Sequence, residues 1–129
     1  MKIDKSLLDN LLAQAASNPR LRQSCDLRTS PEDSSQRVLN ALLPGTTISI
    51  HRHTKSTETF VILRGKLEEI FYEQGRETSR ILLEAGGDVQ GLCIPLGQWH
   101  TVNVLEPTVI LECKDGKYEP LGKEDMIEG

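Results

Sequence analysis

The 129-residue chain carries only three cysteines and three histidines, has no basic stripe and no long apolar run, and each shortage restricts what the protein can be. Cys25, Cys93 and Cys113 are odd in number, far apart and form no Cys-x-x-Cys pair. That argues against a disulfide framework and against a thiolate zinc site, and predicts reduced, mostly buried thiols. The formal net charge of −4 is spread along the chain, so the electrostatic footprint that binds a phosphate backbone is missing and nucleic acid is not an expected partner. No stretch approaches the roughly 18 apolar residues that a bilayer span needs, and Met1-Lys2-Ile3-Asp4-Lys5-Ser6 lacks the apolar centre of a secretory signal. A cytoplasmic protein without membrane contact is expected.

What is present reads as one soluble domain, with 37% apolar and 26% charged residues in a chain too short for two independent cores. Residues 5–17 place Leu7, Leu8, Leu11, Leu12 and Ala15 at helical spacing, with Asp4 or Ser6 as the cap and Pro19 just past the end. Residues 18–36 are polar, and their interleaved Arg20, Arg22, Arg28, Asp26, Glu32 and Asp33 read as a surface connection rather than an anion-binding arginine cluster. A second helical turn is expected around 35–42. From Pro44-Gly45 onward the pattern is all-β. Runs at 46–53, 59–64, 67–72, 80–83, 91–94, 99–105 and 108–114 alternate with turn signals such as Gly65-Lys66, Gln74-Gly75 and Glu106-Pro107. The expected organisation is a helical segment and connection at 1–43, a β-barrel or sandwich at 44–120 and a tail at 121–129.

The histidines are placed selectively. His51 and His53 are two apart, the spacing that projects both from one face of a strand, His100 closes the run Pro95-Leu96-Gly97-Gln98-Trp99-His100, and Glu58 lies between. Imidazole and carboxylate together suit a divalent transition metal. Gly45 to Gly65 is spaced as glycine, five residues, His51-Arg-His53, four residues, Glu58, six residues, Gly65. This resembles the first motif of the cupins throughout. The second motif is reproduced as Pro95-x-Gly97-x-x-His100, with Asn103 one place early and the upstream glycine out of position. Residues 30–45, including Gln36, Arg37, Asn40 and Pro44, and residues 111–118, Leu-Glu-Cys-Lys-Asp-Gly-Lys-Tyr, further resemble the WbuC family of cupin-fold metalloproteins. The resemblance implies a small single-domain cupin, a double-stranded β-helix or jelly-roll barrel, in the setting of O-antigen and other surface-polysaccharide synthesis. It implies no particular reaction.

His51, His53, Glu58 and His100 are thus the expected ligands of one divalent ion, and iron, manganese, nickel, copper and zinc all accept such a set. Four ligands leave room for exchange on an octahedral ion, and one carboxylate leaves a nominal charge of +1, which favours an enolate, a carboxylate or a vicinal diol. Phe60 and Ile62 share the strand parity of Glu58 and are expected to line the pocket, whereas Trp99, next to His100, should face away. Glu112 and Tyr118, with Lys114, are the available acid/base candidates. Two functions follow. One is a metalloenzyme acting on a small oxygenated substrate, such as a sugar or nucleotide-sugar derivative, by isomerisation, epimerisation or oxygen-dependent chemistry. The other is a non-catalytic binding or sensor module. Edge strands and an amphipathic helix predict a homodimer.

Overall fold

The computed structural model describes residues 1–127. One helix, α1 (Lys5–Ala16), precedes ten strands: β1 (Arg22–Asp26), β2 (Ser35–Leu42), β3 (Ile50–His51), β4 (Glu58–Arg64), β5 (Lys66–Glu73), β6 (Arg76–Glu84), β7 (Gly91–Ile94), β8 (Trp99–Val104), β9 (Thr108–Asp115) and β10 (Met126–Ile127). They form two antiparallel five-stranded sheets, ordered β1-β2-β9-β4-β7 and β10-β3-β8-β5-β6. The architecture is that of a single-domain cupin jelly roll with a short N-terminal helix. No helix among the described residues is long and apolar enough to cross a membrane.

The Asp4 side chain caps α1 by accepting from the Leu7 N–H at 3.0 Å, which supplies one of the orphan donors of the first turn. Leu8, Leu11 and Ala15 then bury against Leu39 and Ala41 of β2 and Val109 of β9 on the outer face of the first sheet. That covering explains a departure from the sequence reading. Residues 35–42 form a strand, not a helical turn. Their other face, bearing Leu42, looks into the barrel, so both faces carry buried apolar residues and the alternation that marks a half-buried strand is lost. β1 is a polar edge strand within what reads as a connection, and it pairs along its length with β2. The barrel strands therefore begin at Arg22, well before residue 44. Of the tail at 121–129, the described part folds back, Lys123–Asp125 as a 3₁₀ turn and β10 against β3; residues 128 and 129 lie outside the described residues.

Between the sheets, Phe60, Ile62, Leu67, Leu83, Ile94, Val104 and Ile110 form the apolar interior. Gly65 joins β4 to β5 at φ +92°, and a Cβ there would lie 2.2 Å from the Pro107 carbonyl oxygen. Only glycine permits both the left-handed turn and that approach. The turn fixes the parity of both strands, so Glu58, Phe60 and Ile62 face inward from β4, and Leu67, Glu69 and Phe71 from β5.

Candidate metal centre

The second sheet brings the histidines together. His51 pairs directly with His100 across β3 and β8, and their rings are 4.4 Å apart. His53 lies beyond the end of β3, not within a paired strand. Its carbonyl accepts from the Gly97 N–H at 2.8 Å, which ties it to the turn that leads into His100. The His53 ring is 5.1 Å from His51 and 6.2 Å from His100. Arg52 turns the other way. Its guanidinium lies 4.6 Å over the Trp99 ring and binds Asp125 at 2.8 Å, so Trp99 does face away from the histidines.

One donor atom from each of His51, His53 and His100 falls within 4.8 Å of the others. Glu58, buried at the start of β4, approaches from the opposite sheet and places Oε1 3.5 Å from His53 Nε2. The arginines that could have claimed it are taken: Arg37 pairs with Asp33 at 2.6 Å and Arg64 with Asp9.

Ring orientation decides what these side chains can do. His51 Nδ1 donates to the Ser49 carbonyl at 2.8 Å, which leaves its Nε2 lone pair free. His100 Nδ1 contacts Glu69 Oε1, a completely buried carboxyl. The Nε2 atoms of His53 and His100 and the second Glu69 oxygen are buried without a hydrogen-bond partner among the described residues. Buried polar atoms are seldom left this way. Imidazoles with inward Nε2 atoms, one backed by the Glu69 carboxyl group, are the donor set of a divalent transition metal, and the residues fit one.

Electrostatics keep the His51 and His100 rings neutral. Burial, reinforced by the charge of His100 and His53, lowers the His51 pKa to about 4, and burial likewise lowers His100 to about 4. Burial and the nearby Glu58 charge push Glu69 up to about 9. At neutral pH the Glu69–His100 pair is therefore uncharged overall. Burial alone would raise Glu58, but the His53 contact and the charges of His100 and Lys114 outweigh it, and its pKa is lowered.

The family and its structural relatives can now be set beside this geometry. A family model described as "Domain of unknown function (DUF6016)" matches residues 3–83. The chain belongs to that family. No curated protein matches it. Among solved structures it is similar to KdgF from Halomonas sp., with a TM-score of 0.60 and 18% identity over 78% of this chain and 84% of that one. It is similar to the capsular polysaccharide assembling protein CapF from Staphylococcus aureus, with a TM-score of 0.65 and 22% identity over 85% of this chain and 32% of CapF. It also resembles oxalate oxidase in complex with the substrate analogue glycolate, with a TM-score of 0.63 and 18% identity over 79% of this chain and 54% of that one. These likenesses show the cupin fold; the chain spans about half of oxalate oxidase and about a third of CapF.

The histidine cluster opens into a cavity of about 840 Å³. Phe60, Glu112, Lys114 and Tyr118 line it, whereas Ile62 sits deeper in the apolar core and is not part of the wall. Tyr118 stands at the rim, 53% exposed, with the Arg28 guanidinium 5.5 Å over its ring. Glu112 lies inside, and burial together with the Glu58 charge raises its pKa to about 7 against the opposing influence of Lys114. Cys93 and Cys113 correct the expectation of burial. Both pair across from Thr59 on the outer face of the first sheet and are exposed, because their parity is opposite to that of Glu58 and Glu112. Asn103 is also outside, donating to Glu68 at 2.9 Å. The residue that sequence reasoning missed is Glu69. Its signal was parity: in Leu67-Glu68-Glu69-Ile70-Phe71, the glutamate in step with Leu67 and Phe71 must point inward.

Proposed function

We propose that this chain is a metalloenzyme acting on a small oxygenated substrate. His51, His53 and His100, with Glu58, would hold one divalent transition ion, which when bound supplies Lewis acidity to a chelating oxygen ligand. The observation that carries this reading is the pair of buried, unpartnered Nε2 atoms on His53 and His100 beside a His51 whose tautomer is already set. The remaining chemistry belongs to the chain. Glu69 orients His100, Phe60 closes the floor of the cavity, and Glu112, with a pKa of about 7, is suited to hold or give up a proton at a substrate hydroxyl. That inward acid favours an enzyme over a sensor module, whose pocket needs no titrating group.

The resemblance to the WbuC family and the fold shared with CapF support a sugar or nucleotide-sugar derivative in surface-polysaccharide synthesis. The fold shared with the glycolate complex of oxalate oxidase supports a small hydroxylated acid as the chemical core. Three free thiols suit a reducing cytoplasm. The exposed Val61 and Leu63 on the outer face of β4 suit a homodimer, and a light-scattering mass near that of one chain, 14.4 kDa, would refute that assembly. The metal assignment is tested by elemental analysis of protein purified without added metal. The wild type should carry up to one ion per chain, and His53→Ala and His100→Ala should lose most of it while remaining folded. Stoichiometric metal in both variants would sink the site.

A further inference from the structure

Lys114 and Glu112 form the wall of the cavity opposite the histidines, and the histidine site by itself does not explain them. In the register of β4 and β9, Lys114 is the cross-strand partner of Glu58, and Glu112 that of Phe60. Both therefore project inward from β9, and each side chain is only 18% exposed. Lys114 Nζ stands 3.8 Å from Glu112 Oε2, beyond hydrogen-bond distance, so its three donors are not consumed by that carboxylate. The rim lysines are engaged, Lys55 with Glu119 at 2.9 Å and Lys117 with Glu32 at 2.5 Å. A largely buried ammonium with no carboxylate oxygen nearer than 3.8 Å among the described residues is costly unless something else completes it. With a divalent ion and an ionised Glu58 across the cavity, the space between them is bounded by positive charge on two sides.

We propose that Lys114 is the anion-recognition residue of this cavity and that its ligand class is an acyclic or cyclic polyhydroxy acid. The hydroxyl or carboxylate oxygens at one end face the histidines, and the anionic group at the other end meets Lys114. This rests on the metal-site reading above and deepens it by naming the substrate's charge. Glu112, beside Lys114, accepts from a hydroxyl of the same ligand and keeps the ammonium turned into the cavity. A cavity of about 840 Å³ accommodates a six-carbon sugar acid with water to spare.

The experiment uses a matched pair of probes, D-gluconate and D-glucitol, which differ only in a terminal carboxylate against a hydroxymethyl group. Each is titrated calorimetrically into the nickel-loaded full chain. The wild type should bind gluconate at least tenfold more tightly than glucitol. Lys114→Met should erase most of that preference, with nickel stoichiometry and glucitol affinity unchanged. Lys114→Arg, which keeps the charge, should retain it and serves as the second variant if the methionine change impairs folding. Equal affinity for both probes in the wild type, no gluconate binding, or an undiminished preference in Lys114→Met overturns the proposal. Failure of the wild type to retain nickel instead overturns the metal site, and the two failures are told apart by metal analysis before any probe is added.

Discussion

The two halves of the barrel interior share the same strands but obey opposite rules. Toward one end, Ile62, Leu67, Leu83, Val104 and Ile110 pack into one buried apolar cluster. Toward the other, the same parity delivers Glu58, Glu69, His100, Glu112 and Lys114 to a cavity. Along β4 the change takes one step of inward positions, from Phe60 to Glu58, and along β9 one step, from Ile110 to Glu112. The apolar half supplies the free energy that holds the sheets together. The polar half spends part of it, burying imidazoles with inward nitrogens and keeping the Glu69 carboxyl protonated where water would ionise it. Stability and chemistry are thus separated by a few ångströms along the same backbone, and substitutions in the two halves should behave differently.

The largest effect belongs to the closed half. Leu67 is fully buried, and Leu67→Ala should cost about 2–5 kcal/mol in denaturant unfolding through lost transfer free energy and the cavity left behind. Metal content of the folded fraction should not change. A cost under about 1 kcal/mol would mean that the apolar half is not the anchor and would break the contrast.

That contrast also governs what the sequence disclosed. Seven of the strands are visible from turn signals and β-branched runs, and the first motif places His51, His53 and Glu58 because its spacing is that of the short connection from β3 in one sheet to β4 in the other. β1 and β2 are hidden for physical reasons: β1 is a polar edge, and Leu39 and Ala41 of β2 bury under α1 while Leu42 buries in the barrel, so period two disappears. The short β10 is set by its pairing with β3, which no local pattern announces. Glu69 is hidden because Glu68 and Glu69 are chemically identical and only the register tells which one faces His100. Cys93 and Cys113 fail for the converse reason, since a residue type that is usually buried says nothing about the face on which parity puts it.

The second test sharpens the contrast through pH. In the metal-free protein Glu69 titrates near 9, far above its unfolded value of about 4.3, so the stability it contributes is full below the unfolded value and is lost as pH rises through about 9. Glu112, raised to about 7, acts in the same direction over a narrower window. His51 and His100 act oppositely: held near 4, they cost stability as pH falls from about 6.5 toward 4. The opposing contributions offset one another up to about pH 6.5, and above pH 7 Glu69 remains. Metal-free melting temperature should therefore decline between pH 7 and 9, and Glu69→Gln, which keeps the shape without the proton, should flatten the decline. Parallel wild-type and variant profiles would show that Glu69 is not the group responsible.

The smallest effect on stability, and the most informative, is expected at Glu58. As a metal ligand it lowers the charge of the site; as a structural residue it would have to anchor something. The structure offers little to anchor, since Arg37 and Arg64 are paired with Asp33 and Asp9, and its own contact is His53 at 3.5 Å. Its charge also raises both Glu69 and Glu112, so removing it relieves two crowded carboxyls. Glu58→Gln retains an oxygen and adds an amide N–H that can donate to His53 Nε2. The metal-free melting temperature should therefore move by less than about 4 °C, roughly 1 kcal/mol for a chain of this size. Metal affinity should fall by about tenfold or more, because the anionic donor is gone. A large drop in metal-free stability with metal affinity intact would reverse the assignment and place Glu58 among the residues that hold the barrel rather than those that equip it.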